Sequence, residues 1–168
     1  MYLNCHSYHS LRYGTISVED LVRDSARLGI SALALTDINT ITGIYDFYKL
    51  CKEFGIKPIV GVDVRLDNQQ YFIALAKNNQ GITEICRMLT AHNCDGEILP
   101  RQNPDLPNCF IIYPLKNIPE VLEDNEFIGI RSEELNILIQ KKWQQFSNKM
   151  VVLQPVTFRT KREYNLHR

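Results

Sequence analysis

The chain has no excess of charge of either sign: 19 lysines and arginines balance 19 aspartates and glutamates in 168 residues. Binding nucleic acid by general electrostatics requires a basic surface, so the composition argues against that mode and leaves only a local patch open. The five cysteines, Cys5, Cys51, Cys86, Cys94 and Cys109, are odd in number and form no C-x-x-C. That argues against a disulfide framework or a zinc ribbon and for thiols in a reducing cytosol. No apolar run is long enough to span a bilayer, and the N-terminus lacks the basic flank and long apolar core of a signal peptide. A cytoplasmic location is therefore expected. G-x-S-x-G, a P-loop and G-x-G-x-x-G are all missing, as are internal repeats and low-complexity segments.

The balance that remains is ordinary, 45% hydrophobic and 23% charged, in a length that suits one domain with a real core. Residues 1–5 form a short apolar first strand. Ser17 can cap a helix with Glu19 and Asp20 in its first turn, apolar Leu21, Val22 and Leu28 near helical spacing, and Gly29 to close it. Residues 31–36 are a continuous apolar run, the pattern of a strand buried on both faces. A second helix runs through Ile44, Phe47, Tyr48, Leu50 and Cys51 to Gly55. Residues 56–66 then make a strand that tolerates Pro58 near its start and turns at 67–70 into a partner over 71–76. Residues 81–92 are helical and 93–108, with three prolines, are irregular. Strands are expected at 110–113, 127–130 and 150–153, with a helical turn at 118–122. A further helix runs from Ser132 to about Phe146, with Leu135, Leu138 and Ile139 inward. Residues 161–168 begin one more helix with Leu166 as its clear apolar anchor, which suggests a fragment of a longer polypeptide.

This alternation predicts a mostly parallel sheet or barrel with helices outside, a fold whose sites form at the carboxyl ends of strands. Four such ends carry polar groups: residues 6–9, 37–39, Asp63, and 154–157. His6, Asp37 and Asp63 are donors of the type that suits zinc, manganese or iron. Each also has a plainer role. A histidine after a strand commonly hydrogen-bonds within its loop, Asp37 can cap a turn, and Asp63 in an apolar run needs a partner. Cys5 and His6 are neighbours in an extended segment and point to opposite faces. Lys141, Lys142 and Trp143 read better as a solvated helix face with the indole turned inward than as a base or phosphate site. Arg159, Lys161, Arg162 and Arg168 form a basic end, read as a helix surface rather than a nucleic-acid contact.

Several motifs in order resemble a known family. The stretch Asn4-Cys5-His6-Ser7-Tyr8-His9-Ser10-Leu11-Arg12-Tyr13-Gly14, then Ser17–Leu21, resembles the H-x-H-S-x-Y-S-L-L-D-G opening of the PHP (polymerase and histidinol phosphatase) domain. The form it resembles stands at the N-terminus of bacterial DNA polymerase III alpha subunits. Ala34-Leu35-Thr36-Asp37-Ile38 with Gly43 resembles A-L-T-D-H; Lys57-Pro58-Ile59-Val60-Gly61-Val62-Asp63 resembles K-P-I-x-G-x-E; Leu75-Ala76-Lys77-Asn78 matches L-A-K-N. Val151 and Val152 and residues 163–168 match near the end. The resemblance implies an α/β fold, a distorted and incomplete (β/α)7-type barrel of the metallo-dependent phosphatase-like kind, as a single domain over residues 1–168.

The departures bear on function. Asn4, Tyr13 and Ile38 stand where the family pattern has histidine, aspartate and histidine, and Asp63 replaces a glutamate. Tyr71 falls near another histidine, and Val156 and Phe158 replace the aspartate and histidine of the last motif. The resemblance thus leaves His6, Asp37 and Asp63 as vestigial metal positions, in a cleft expected to hold no metal and to be filled in part by Ile38, Val156 and Phe158. His9 is either a replacement donor or a packing residue, the latter being favoured. The implied role is the non-catalytic N-terminal domain of a DNA-directed DNA polymerase, with no cofactor of its own. Its implied partners are the polymerase domain of the same chain, the proofreading exonuclease and other replisome proteins, and DNA through the whole protein, with no membrane. The alternative is a PHP-type phosphoesterase with a reduced zinc or manganese site.

Overall fold

The computed structural model describes every residue except Asn68, Asn103, Lys141, Lys142, Gln144 and Arg168, and leaves out the side chains of Ile137, Ile139, Leu166 and His167. The expected roles of Lys141, Lys142, Arg168 and the Leu166 and Ile139 side chains therefore lie outside the described residues.

Helix α1 (Val18–Arg27) starts where the sequence supplies a cap: Ser17 is extended and its Oγ accepts the Asp20 N–H at 2.9 Å. It buries Val18, Leu21, Val22 and Ser25, and the chain leaves it through Gly29 at φ +67°, a conformation that costs glycine little. The six strands are β1 (Ala32–Leu35), β2 (Lys57–Leu66), β3 (Gln69–Ala76), β4 (Cys109–Pro114), β5 (Glu126–Ile130) and β6 (Met150–Val152). They lie side by side in chain order in one sheet. β1 and β2 pair in parallel, as do β4 with β5 and β5 with β6, while β3 runs antiparallel to both its neighbours. The expected hairpin at 67–70 is therefore present.

The expected first strand is reduced to isolated bridges, but it still links the two ends of the sheet. Ala34 and Thr36 donate to the carbonyls of Tyr2 and Cys5 at 3.0 and 2.9 Å. On the other side, His6 N–H reaches Val156 O at 2.9 Å and Val156 N–H reaches Asn4 O at 2.8 Å. Residues 2–6 thus lie between β1 and the chain that follows β6, and the sheet curls into a distorted, incomplete barrel of the expected type. A bend at Leu3 interrupts the ladder there.

Strand alternation separates the core into layers. Leu33 and Leu35 face α1 and helix α2 (Ile44–Glu53), meeting Val22, Phe47 and Cys51. Phe72, Ile111 and Tyr113 face helix α3 (Asn79–Asp95) with Ile85 and Leu89. Ala34, Ile73, Leu75, Ile112 and Leu153 fill the inside of the curl. The continuous apolar runs are therefore covered on both faces, as their composition implied.

Three local expectations need correction. The helical turn at 118–122 is not formed; a 3-10 turn at Leu115–Asn117 precedes it and Ile118 is extended, at φ −74° and ψ 130°. The clash of Pro119 with a preceding helical residue explains this, and Asn117 Nδ2 fixes the bend by donating to Tyr71 O and Arg101 O. Residues 132–139 form a 3-10 helix rather than an α-helix, which leaves Leu135 exposed instead of inward. The Glu134 N–H donates to Arg131 O at 3.0 Å, an i to i+3 bond that starts the segment at the tighter pitch. The segment that leads into helix α4 (Lys161–His167) is tied to α1, because Arg159 pairs with Asp20 and Asp24; this part of the basic end is engaged within the chain.

Burial raises the Cys5 thiol to about 12 and the Cys51 thiol to about 11; burial, with the Glu84 charge second, raises Cys109 to about 12. The reactive thiolate is then scarce at neutral pH. A disulfide-exchange reagent should modify exposed Cys94 in the native protein and reach Cys5, Cys51 and Cys109 only after denaturation, as mass mapping of labelled peptides would show.

Candidate functional site at the carboxyl end of the sheet

The loop after residue 6 is organised by one buried carboxylate. Asp37, at the end of β1, accepts the Ser7 N–H and the Ser10 hydroxyl on Oδ1, both at 2.6 Å, and the Ser7 hydroxyl on Oδ2 at 2.7 Å. Ser10 Oγ in turn accepts the Ile38 N–H at 3.0 Å, and Ser7 Oγ accepts the His9 N–H at 3.2 Å. Gly14 closes the same loop. A Cβ there would stand 1.9 Å from the Ser7 carbonyl oxygen, so no larger residue fits. His9 is half-buried, with its ring 4.5 Å from that of Tyr8 and near Gly43.

A second buried carboxylate, Asp63 in β2, gathers the other groups. Its Oδ2 accepts from His6 Nε2 at 3.0 Å, Arg65 Nε at 3.1 Å, Arg65 Nη2 at 2.7 Å and Gln70 Nε2 at 2.9 Å. A carboxylate only accepts, so His6 Nε2 donates to it, and Nδ1 lies within hydrogen-bond distance of the Thr157 hydroxyl at 3.2 Å. The Arg65 guanidinium lies over the Tyr13 ring, 4.4 Å from its centre, and Nη2 reaches the Tyr13 hydroxyl at 3.4 Å. Tyr13 also meets His6 edge-to-face at 4.9 Å. Gln70 Oε1 accepts from Arg131 Nη2 at 3.0 Å.

Local backbone features aim these side chains. Asp63 and Arg65 are two residues apart on one strand and so share a face. The register of β2 with β3 jumps from Val64–Phe72 to Arg65–Gln70, a bulge that makes Tyr71 the extra residue and brings Gln70 to the acid. Asn39, at φ +50°, clasps the Arg65 backbone from both sides: its Nδ2 donates to Arg65 O at 2.6 Å and its Oδ1 accepts Arg65 N–H at 2.9 Å. Burial alone would raise the Asp63 carboxyl, but hydrogen bonds from His6 and Arg65 and the Arg65 charge outweigh it and hold the group below its ordinary value. Burial alone would lower Arg65; its bond to Asp63 and that charge keep it above its own.

The structure thus brings two of the three candidate metal positions, His6 and Asp63, into direct contact and engages Asp37 with serines instead. It also corrects the expected lining. The side chain of the last motif that faces His6 is Thr157. Val156 packs on the α1–α2 core and the Phe158 ring meets Tyr164 at 5.5 Å. Sequence reasoning missed Arg65 and Gln70, and it placed Asn39 and Thr157 among the polar strand-end groups without a role for either. For Arg65 a signal existed, since a cation two residues from a buried strand acid lies on the same face.

These residues do not fit a metal ion. Both nitrogens of His6 are engaged, and one oxygen of Asp63 takes four donors. Among the described residues, no three His, Cys, Asp or Glu side chains converge as ligands. Asp63 Oδ1 is buried without a partner among the described residues, as is Asn4 Nδ2. One free oxygen beside a guanidinium is a poor setting for a divalent ion, which would add two charges to a pair already neutral.

A curled, mostly parallel sheet with an imidazole–carboxylate cluster at its carboxyl end defines an α/β protein with a distorted, incomplete barrel. The chain belongs to the PHP family: the family model described as "PHP domain" matches residues 3–126. It is 34% identical over 119 residues to DNA polymerase III subunit alpha of Chlamydia pneumoniae, covering 62% of this chain and 10% of that one. It is 37% identical over 94 residues to the subunit of the same name in Bacillus subtilis (52% and 8%). An error-prone DNA polymerase of Symbiobacterium thermophilum is 34% identical over 104 residues (62% and 9%). The chain therefore matches about a tenth of the length of these relatives. No helix among the described residues is long and apolar enough to cross a membrane.

The Asp37 contacts give a stability test. Asp37→Ala leaves one backbone and two hydroxyl donors of the fully buried Ser7 and Ser10 without their acceptor, and should cost about 3 kcal/mol in denaturant unfolding. Gly14→Ala should destabilise comparably, because its Cβ meets backbone rather than a movable side chain.

Proposed function

We propose that this chain serves as the PHP domain of a DNA polymerase of the polymerase III alpha type, and that the domain itself is structural rather than catalytic. The observation that carries the second part is the closed cluster: His6 bonds to Asp63 and Thr157, and Asp63 also to Arg65, leaving no open donor set to hold an ion and activate water. The similarity to three DNA polymerases supports the first. In this reading the domain braces the polymerase domain of the same chain and offers a docking face to replisome partners such as the proofreading exonuclease. DNA is engaged by the whole protein and not by this neutral domain.

The second reading, a PHP-type phosphoesterase with a reduced site, has one observation in its favour, the unpartnered and buried Asp63 Oδ1. A direct assay separates the two. Purified protein incubated with p-nitrophenyl and bis-p-nitrophenyl phosphate and added manganese or zinc should release no more nitrophenol than metal alone. Metal-dependent hydrolysis that disappears in His6→Ala would establish the phosphoesterase instead.

A further inference from the structure

We infer that Arg65, seated on Tyr13, is a built-in cation that occupies the place a divalent ion would take on Asp63 and His6. The inference goes beyond the structural role proposed above, because it names what holds the old site together and what keeps an ion out of it.

The geometry carries it. A buried acid and an imidazole at neighbouring strand ends are the donor chemistry of a zinc or manganese site. Here they face each other at 3.0 Å, with two guanidinium nitrogens on the same carboxylate oxygen at 3.1 and 2.7 Å. The Asp63 side chain is fully buried and that of Arg65 only 11% exposed, so the two charges neutralise one another largely out of water. Such a pair is maintained only when the remaining hydrogen-bonding capacity is met. Gln70 meets part of it at the acid, and the Tyr13 face and hydroxyl at the guanidinium. An aromatic face attracts a guanidinium, whereas a divalent ion calls for carboxylates. Tyr13 at this position therefore suits Arg65 and not a metal. Asn39 fixes the Arg65 backbone on both sides, so the cation is placed by the fold and does not drift in from the surface.

The test compares the wild type with Arg65→Met, Arg65→Lys, Asp63→Asn and the double variant Arg65→Met/Asp63→Asn. Melting temperatures are measured with and without manganese, chosen because the free thiols of this chain hold it poorly. The wild type should be unmoved by saturating manganese. Arg65→Met, which strands a buried carboxylate, should melt about 10 °C lower. Manganese, or methylguanidinium below denaturing concentration, should recover part of that loss. The double variant should melt above Arg65→Met and respond to neither cation. Arg65→Lys should fall between wild type and Arg65→Met, since it keeps the charge and loses the planar fork. If Arg65→Met does not fold, a folded double variant supports the inference, and an unfolded one overturns it by showing that Arg65 acts through packing. A manganese shift in the wild type, an Arg65→Met variant that melts with the wild type, or equal cation responses in the single and double variants would each overturn it. Phosphoester hydrolysis is a separate readout that bears on the proposed function alone.

Discussion

The buried charge of Asp63 is the constraint around which the carboxyl end of the barrel is arranged. A carboxylate removed from water has to be matched, and the groups that match it come from three segments of the chain. His6 arrives from the first segment, Arg65 from β2 and Gln70 from β3. Through these, Tyr13, Arg131 and Thr157 are drawn into the same cluster. One oxygen atom therefore fixes the relative positions of the first segment and of the β2–β3 hairpin. Buried ion pairs are uncertain contributors to net stability, yet removing one partner is costly. Their effect here is to allow one arrangement of these segments and to penalise others.

The two acids of the site are solved differently. Asp37 is satisfied by neutral donors of a single short loop, and it works as the peg around which residues 7–14 fold. Asp63 is satisfied by a full opposite charge. The donors to Asp37 all come from one short loop and shape it; those to Asp63 come from three segments and tie elements together. Both retain the polar character of a PHP strand-end site, and both direct it inward.

Much of this was legible in the sequence. Hydrophobic periodicity located the helices and strands, Ser17 marked the start of α1, and the alternation of elements implied a curled sheet with its polar groups at the carboxyl ends. What was not legible depended on register. The bulge at Tyr71 follows from how β3 meets β2, which no single strand encodes. Thr157 rather than Val156 or Phe158 faces His6 because an error of one residue exchanges the faces of an extended segment. Asn39 stood among the polar strand-end groups, but its clasp on another strand's backbone has no sequence signature. The extended Ile118 before Pro119 could have been anticipated from the proline alone.

The closure of the barrel also sets a timetable. His6 and Thr157, which hydrogen-bond to each other, are 151 residues apart in the chain, and residues 2–6 have Val156 as their partner on one side. During synthesis at about 5–20 residues per second, the first segment waits on the order of 8–30 s for the strand that completes its pairing. Until then β1 can hold its other edge, but the imidazole of His6 and the open sheet edge stand exposed to whatever the ribosome surface and its chaperones present. The last of these contacts to form is thus the one that seals the segment made before β1.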